Sequence, residues 1–365
     1  MIITSSADPL ITASIRVLFD GQAQTGAFIA SPNFPQYGFA WLRDGSYCAL
    51  AMDAVGETES SGAFHGWVAR VVERQRDRIL DVVNKLRAGE DPEPGLMLPT
   101  RYTLSGVPES DGADSWPNFQ LDGYGTWLFA LHAHLAGADA GRLRPAVELA
   151  AEYLAASWEL PCYDYWEEFG DRQHTSTLAS IAAGLRASAR MLDRPDLDGI
   201  ADAVVRFIRE SCVADGRFVK GPSDDRLDAS LVSLATPFRL VDYADPVMIA
   251  TIEGIRSTLA SPTGGIRRYL GDTYFGGNPW LLLTAWLGWH DRLAGNPGGH
   301  AQAVDWVRGR QAPNGWLAEQ VLDEPQDPSA VQPWIDRWGP VADPLLWSHA
   351  KYLLMQSDVE SAPWS

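Results

Sequence analysis

One arrangement recurs along nearly the whole chain: a segment with apolar residues at helical spacing follows a loop rich in Gly, Pro, Asp and Trp. Roughly a dozen segments have this spacing, whereas the apolar–polar alternation of a half-buried strand is rare and short. The clearest helical segments are 149–160, 178–192, 243–259, 279–293 and 344–355. The pattern therefore predicts an all-α protein.

Six of the loops are long and polar-aromatic, and each leads into a helical segment. They are 35–44, 111–123, 163–175, 224–238, 264–279 and 314–344. Six such units predict six helical hairpins closed into a ring, an (α/α) six-hairpin barrel with these loops on one rim. An open solenoid would show a sequence repeat of fixed period, and this sequence has none. The connection 90–116 is predicted to cross the rim as ordered chain, and no linker divides residues 1–365 into separate domains.

Composition and charge narrow the classes of ligand. The chain is 46% hydrophobic and 21% charged, the balance of a compact globular protein. Its formal net charge of −18 would repel nucleic acid phosphates and anionic lipid headgroups, so neither partner is expected. The chain begins without a signal-peptide pattern and contains no apolar run of membrane-spanning length, so we expect a cytoplasmic protein. The oligomeric state is left open.

No sequence pattern indicates a metal or a cofactor. The three cysteines, Cys48, Cys162 and Cys212, lack the paired spacing of a zinc site. A His-Glu-x-x-His pattern and a phosphate-binding Gly-rich loop are also missing. The seven histidines are scattered, and we interpret His174 and His349, near rim loops, as structural. The expectation is a protein that binds no metal and no cofactor.

The 15 tryptophans are the most unusual feature of the composition. Many stand beside Gly, Asp, Asn or Pro rather than within apolar helical stripes. The flat, CH-rich face of a pyranose packs well against an aromatic ring, although any single Trp can equally fill the core. Tryptophans beside charged residues in the rim loops therefore favour a carbohydrate site.

The segment 163–168, Tyr-Asp-Tyr-Trp-Glu-Glu, places two carboxylates among bulky aromatic residues. Adjacent loop residues point in different directions, so one of Glu167 and Glu168 can face a ligand while the other contacts a neighbouring group. An apolar wall disfavours the ionised form of the inward carboxyl and raises its pKa, as a general acid requires. Alternatively, both are acids at the start of the next helix, stabilised by its dipole.

Glu319 is the second carboxylate candidate, although a lone Glu after an apolar stretch is usually a solvated helix residue. Its pairing with Glu167 changes that interpretation. Two carboxyl groups on separate loops, one protonated and one ionised, can protonate a leaving oxygen and activate a water on the opposite face of a sugar. The pair therefore predicts acetal hydrolysis.

Arg43 and Asp44 stand side by side after an aromatic residue and offer donors and acceptors to a vicinal diol. Alternatively, they pair with each other and cap the following helix.

Two further segments, 116–123 and 267–280, combine aromatic and charged residues. Each is also a plausible helix start. Asn278 followed by Pro279 has the pattern of a cap and a first helical residue.

Together these segments resemble the glucoamylase family of glycoside hydrolases, inverting enzymes that release glucose from the non-reducing ends of α-glucans. They follow one another in the family's order from residue 37 to residue 348. In chain order, the resemblance is carried by Tyr37, 41–44, Trp116, 120–123, 163–168, 268–280, Glu319 with Gln320, and 346–348. The resemblance implies a single (α/α) six-hairpin barrel. The chain departs from the fungal members in several loops, which puts long starch chains in doubt as substrates.

The resemblance also implies residue roles. Glu167 looks like the general acid and Glu319 like the general base. Arg43 and Asp44 would hold the innermost glucose, while Glu168 would reach the next sugar outward. The full set of implied substrate-binding residues is Tyr37, Trp41, Arg43, Asp44, Trp116, Asp122, Trp166, Glu168, Arg268 and Trp347.

The implied activity is that of an inverting exo-α-glucosidase releasing β-glucose from short α-glucosides, either α-1,6-linked such as isomaltose or α-1,4-linked such as maltose. A trehalase is a close alternative, because such relatives share the same acid and base. A non-catalytic sugar-binding barrel would not need both carboxylates. A lyase or epimerase of uronic acids is disfavoured by the acidic charge of the chain.

Overall fold

The computed structural model describes residues 8–109 and 119–357, which form thirteen α-helices and two short antiparallel strand pairs. The helices are α1 (Pro9–Asp20), α2 (Leu42–Ala54), α3 (Thr58–Arg74), α4 (Arg76–Arg87), α5 (Asp122–Leu135), α6 (Arg144–Ser157), α7 (Thr175–Leu192), α8 (Pro195–Ser211), α9 (Pro246–Leu259), α10 (Leu281–Leu293), α11 (Pro297–Arg308), α12 (Pro328–Trp338) and α13 (Leu346–Gln356). Strand β1 (Ala40–Trp41) pairs with β2 (Arg101–Tyr102), and β3 (Val213–Ala214) pairs with β4 (Arg217–Phe218). Short 3-10 helices include Pro35–Tyr37, Ala229–Leu234 and Tyr274–Gly276.

Six elements form a closed inner ring. In order around the ring they are α2, α5, α7, the 3-10 helix Ala229–Leu234, α10 and α13, and α13 packs back against α2. The inner elements are buried almost all round, as expected of helices surrounded by other helices. The ring confirms the predicted all-α barrel. One inner position departs from a regular barrel, because it is occupied by a six-residue 3-10 helix within the segment 224–238, which the sequence predicted as a loop.

The outer helices are amphipathic and lie against the ring. On α8 the buried residues are Leu197, Ala201, Val204 and Ile208, a spacing of three and four that forms one apolar stripe. The first residues of the outer helices follow local sequence rules. Pro246 opens α9, and the side chain of Asp245 accepts hydrogen bonds from the N–H groups of Val247 and Met248. The outer layer therefore covers the ring with helices whose limits are set locally.

Close packing inside the ring depends on glycine where α5 meets α7. A Cβ on Gly125 would lie 2.2 Å from the carbonyl oxygen of Ser180, and one on Gly184 would lie 2.6 Å from the Cα of Gly125. Neither position can accept a larger residue unless the two helices move apart. The two glycines thus set the separation of these inner helices.

The helical segments expected from the sequence are all present, with ends that differ by up to five residues. Two details of the sequence interpretation are wrong. The helix expected at 279–293 begins at Leu281 with Trp280 as its cap, and Asn278 instead bonds to the carbonyl oxygen of Phe275 and the N–H of Glu324. The predicted loop 314–344 contains the helix α12.

Every inner element begins at the same rim of the ring. Residues at or just before these starts, such as Arg43, Trp280 and Trp347, line one pocket at that rim. Four of the six predicted loops contribute lining residues to this pocket: 35–44, 163–175, 264–279 and 314–344. Most of the predicted loop 111–123 lies outside the described residues. Within the described part of the chain, none of the helices combines the length and the apolar character that a membrane crossing requires.

Candidate active site

A pocket with a volume of about 520 Å³ opens at this rim. Its wall combines aromatic rings with four carboxylates and three arginines. The lining residues are Ala30, Phe34, Gln36, Tyr37, Trp41, Arg43, Asp44, Tyr165, Trp166, Glu167, Glu168, Arg268, Tyr274, Trp280, Glu319, Trp334, Arg337, Trp338, Leu345 and Trp347. The base is buried, while Arg337 at the mouth is exposed. The volume lies in the range of sites for small ligands.

Glu167 lies in a tight turn well before α7. The carboxylate of Asp164 accepts hydrogen bonds from the N–H groups of Trp166 and Glu168, each at 2.9 Å. The backbone of Glu167 itself is left-handed, with a φ of 65°. This turn projects Glu167 into the pocket, and the helix begins only at Thr175. The alternative that Glu167 and Glu168 are acids of a helix N-terminus is therefore wrong.

A buried cation supports this turn from behind. The ammonium of Lys220 lies 2.8 Å from Asp164 and 2.5 Å from Asp228, and all three side chains are nearly inaccessible to solvent. Asp228 also accepts a hydrogen bond from Nε1 of Trp166. Burial opposes the charged form of Lys220, but the two carboxylates outweigh it and raise the pKa of the ammonium. Lys220 thus joins the loop of Glu167 to the start of an inner element.

The surroundings of Glu167 favour a protonated carboxyl near neutral pH. Burial raises its pKa to about 7, against the opposing effects of Arg43 and of a hydrogen bond donated by Nε1 of Trp41. Arg101, whose guanidinium lies over the ring of Trp41, also opposes the rise. A carboxyl group with this pKa can donate a proton under physiological conditions.

Glu319 is a buried loop residue and not a solvated helix residue. Its backbone N–H donates to the carbonyl oxygen of Ala342, and its own carbonyl accepts from the N–H of Leu281. Only 1% of the residue is exposed. Oε1 accepts a 2.8 Å hydrogen bond from the hydroxyl of Tyr37, which also contacts the hydroxyl of Tyr274 at 2.9 Å. Burial raises the pKa of Glu319 to about 7, and the bond from Tyr37 opposes this rise.

Arg43 and Asp44 form part of the base of the pocket, on the first turn of α2. Arg43 lies 3.5 Å from Asp44 and donates to Gln120 at 2.8 Å and to Asp122 at 2.7 Å. The pairing of Arg43 with Asp44 is present, but the side chain of neither residue caps α2. Burial raises the pKa of Asp44 to about 6, and Arg43 opposes the rise.

Asp122 departs from its expected place as a substrate contact. Its side chain is fully buried behind Arg43 and does not line the pocket. The carboxylate forms an ion pair with Arg43 instead. Asp122 therefore positions a pocket residue, because an unpaired guanidinium at this depth would be costly.

Arg268 occupies another side of the pocket, enclosed by aromatic rings. Its guanidinium makes two hydrogen bonds to Asp272, at 2.7 and 2.5 Å, and a longer one of 3.3 Å to Glu168. The rings of Trp166 and Trp280 lie 5.5 and 5.3 Å from it. Glu168 is half-buried and faces the outer part of the site.

Nine of the ten substrate-binding residues expected from the sequence lie in the described part of the chain, and eight of them line this pocket together with Glu167 and Glu319. Asp122 is the exception, and Trp116 lies outside the described residues. The two histidines interpreted as structural support the loops: His174 bonds to the carbonyl oxygens of Cys162 and Phe169, and His349 accepts the N–H of Leu317.

The part of the wall that comes from α12 was not predicted from the sequence. Trp334, Arg337 and Trp338 stand at the mouth of the pocket. The signal was present in the sequence: apolar residues at 331, 334, 335 and 338 have helical spacing, Asp327 and Pro328 precede them, and Gly339 follows. The density of Pro and Trp in this segment obscured the pattern.

Similarity to known proteins extends over almost the whole chain. Residues 13–335 match the family described as Glycosyl hydrolases family 15. The chain is 38% identical to isomaltose glucohydrolase of Kribbella flavida, over 93% of this chain and 89% of that protein. It is 23% identical to Trehalase 1 of Sulfolobus acidocaldarius, over 69% of this chain and 45% of that protein.

Solved structures give the same grouping. A glycosidase variant in complex with glucose superposes with a TM-score of 0.91 and 37% identity, over 95% of each chain. A bacterial glucoamylase complexed with acarbose has a TM-score of 0.76 and 20% identity, over 96% of this chain and 55% of that one, and shares the fold.

Replacement of Lys220 by Met should lower the free energy of unfolding by about 3–5 kcal/mol, because Asp164 and Asp228 would remain buried without their cation. Lys85→Met on α4, where the side chain is partly exposed, should change it by less than about 0.5 kcal/mol. Denaturant unfolding of the two variants measures the difference. Equal stabilities would show that Lys220 does not hold the loop of Glu167.

Proposed function

The chain belongs to family 15 of the glycosyl hydrolases, and we propose that it is an inverting exo-α-glucosidase that releases β-glucose from the non-reducing end of short α-glucosides, with isomaltose as the preferred substrate. The observation that carries the proposal is the pair Glu167 and Glu319. The two carboxyl groups come from separate loops, line one pocket, and have pKa values raised by burial to about 7.

In the proposed reaction, Glu167 is the general acid. Its proton passes to the glycosidic oxygen as the bond from that oxygen to the anomeric carbon breaks. Glu319 is the general base and takes a proton from a water that attacks the anomeric carbon from the opposite face. The products are β-glucose and the shortened alcohol, and proton exchange with solvent restores the two carboxyl groups. Because the two groups act on opposite faces, the configuration at the anomeric carbon is inverted.

The base of the pocket has the donors and acceptors that a terminal glucose requires. Arg43 and Asp44 would bind its hydroxyl groups, and Trp347 would pack against the ring. Asp122 and Gln120 fix the guanidinium of Arg43, so this donor is oriented before the substrate arrives. Tyr37 orients Glu319 by a direct hydrogen bond. These roles stand on the geometry of the pocket.

The mouth of the pocket supports a preference for short substrates. Trp166, Glu168 and Arg268 would contact the second sugar, and α12 places Trp334 and Trp338 just outside them. If a glucan extends past the second sugar toward the mouth, these two rings would obstruct it. An enzyme that binds only the non-reducing end of a glucan in such a pocket releases one glucose at a time, and this is exo action.

Two relatives bear on the linkage. The similarity to isomaltose glucohydrolase extends over more of this chain, at higher identity, than the similarity to the archaeal trehalase. This supports α-1,6-linked substrates ahead of trehalose, with maltose as the second choice. A non-catalytic binding role is disfavoured, because a binding site gains nothing from two carboxyl groups with raised pKa values on separate loops.

Isomaltose should give a higher kcat/KM than maltose or trehalose, and the first glucose formed should be the β-anomer. Glucose release from each disaccharide, together with proton NMR of the product before mutarotation, measures both. An initial α-anomer would exclude inversion, and inactivity on all three disaccharides would reject the proposed enzyme.

Glu167→Gln should lower kcat/KM for isomaltose by about 10²–10⁴-fold, because the leaving oxygen loses its proton donor. The same variant should retain most of its activity on α-glucosyl fluoride, since fluoride departs with far less help from an acid. Glu319→Gln should lower the rate on both substrates, because both need the attacking water to be activated.

Glu168→Gln removes the carboxylate next to Glu167 and serves as the control for that variant. It should raise KM for isomaltose more than it lowers kcat, because its proposed contact is with the outer sugar. If Glu167→Gln and Glu319→Gln lost the same fraction of their activity on α-glucosyl fluoride, the assignment of separate roles to the two glutamates would be wrong.

The pH dependence of kcat/KM should be a narrow bell centred at about pH 7. Glu319 must be ionised, so the rate falls as pH drops below its pKa of about 7. Glu167 must be protonated, so the rate also falls as pH rises above its pKa of about 7. In Glu167→Gln, the profile for α-glucosyl fluoride should keep the acid limb and lose the alkaline one. A profile in which the alkaline limb persists would contradict the assignment of the acid.

A further inference from the structure

A second group of chemically active side chains lies at the far end of the ring, away from the pocket. Asp53 is close to the end of α2, His65 is on α3, and His134 is close to the end of α5. One ligand atom from each residue can be chosen such that all three lie within 4.8 Å of one another. Helix α2 begins at the pocket with Arg43 and Asp44, so nine residues, or about 13 Å, separate Asp44 from Asp53 along the helix.

His65 is the member of the group that needs explanation. It is fully buried, and neither ring nitrogen has a hydrogen-bond partner among the described residues. A neutral imidazole carries a lone pair on one ring nitrogen, and no described protein group uses that lone pair of His65. A buried ring nitrogen without a partner is unfavourable. Such a nitrogen is a ready ligand for a metal ion.

Asp53 and His134 form the solvent-accessible side of the group. Nδ1 of His134 lies 3.0 and 3.1 Å from the two carboxylate oxygens of Asp53. Ser61 donates a 2.7 Å hydrogen bond to Asp53 and so fixes one of these oxygens. About a fifth of each of the two side chains is exposed, which leaves a path for an ion and a place for a water. Two ligands of one tetrahedral zinc ion with bonds of about 2.0–2.2 Å lie about 3.3–3.6 Å apart, so this hydrogen-bonded pair would have to open by a few tenths of an ångström to bind the ion.

We propose that Asp53, His65 and His134 bind one Zn²⁺ ion, with water as the fourth ligand. Two imidazoles and one carboxylate are a donor set for zinc, whereas Ca²⁺ and Mg²⁺ prefer oxygen ligands throughout. The ion satisfies one nitrogen of His65, and it neutralises charge in a chain with a net charge of −18. A hydrogen-bonded Asp53–His134 pair without metal leaves both nitrogens of His65 without partners.

The site ties together two inner helices and one outer helix, so its role is structural. It departs from the expectation of a protein without metal, which rested on local spacing. Asp53 and His134 are 81 residues apart and belong to different hairpins, so no short motif marks them. Their closeness results from the ring itself, in which α5 packs against α2.

Isothermal titration of the chelator-treated full chain with Zn²⁺ tests the proposal. About one ion per chain should bind, the Tm should rise by about 2–5 °C, and Mg²⁺ should have no such effect. Co²⁺ in place of Zn²⁺ should give the strong visible absorption of a four-coordinate site. The absence of zinc binding to the wild-type chain, or a six-coordinate Co²⁺ spectrum, would overturn the proposal.

Variants locate the ion. Asp53→Asn and His134→Ala should each weaken Zn²⁺ binding by more than about 100-fold, the upper limit for loss of an outer-shell partner alone. Both positions are partly exposed, so either variant can decide if the other does not fold. His132→Ala, on the same helix but outside the group, should bind Zn²⁺ as the wild type does. Unchanged binding in Asp53→Asn or His134→Ala would place the ion elsewhere and reject the site.

Discussion

The contact between α2 and α13 closes the ring, and the pocket depends on it. The ring of Tyr47 stacks on that of Trp347 with centroids 5.7 Å apart, and the nitrogen of Lys351 lies 3.2 Å from the centre of Tyr47 and 3.3 Å from that of Trp286. Burial holds the pKa of Lys351 well below its usual value, so its long side chain acts here mainly as packing. Because α2 and α13 both begin at the pocket, their contact brings residues from the two ends of the chain to one site.

The charges of the pocket are balanced in a way that preserves the raised pKa values of the two glutamates. Arg43 is paired with Asp122 and Asp44, and Arg268 is paired with Asp272. A guanidinium that is already neutralised lowers the pKa of a neighbouring carboxyl less than an unpaired one would. Burial therefore remains the dominant influence on Glu167 and Glu319. The buried acids behind the arginines are part of the electrostatics of the site although they do not face it.

The sequence predicted correctly those features that depend on residues close together in the chain. The inner helices α7, α10 and α13 follow from apolar spacing, and the aromatic-acidic segment around Glu167 has its own chemistry. Glu319 has no such local signal, because its burial results from pairing with the chain at Trp280 and from a hydrogen bond with Tyr37, 282 residues away. The sequence placed Asp122 in a rim loop, whereas it is the first residue of α5, and only the packing shows that it faces Arg43. The group around His65 needs the closed ring before it exists at all.

The left-handed backbone of Glu167 has a consequence for any attempt to make the protein more heat-resistant. A residue with a Cβ at a φ of 65° costs about 1–2 kcal/mol relative to glycine, which adopts this conformation freely. Glycine would therefore be the more stable choice at position 167, yet it carries no carboxyl group. A screen that rewards thermal resistance alone would favour the loss of this glutamate. On the proposed role of Glu167 as the general acid, resistance to heat and turnover make opposite demands on a single side chain.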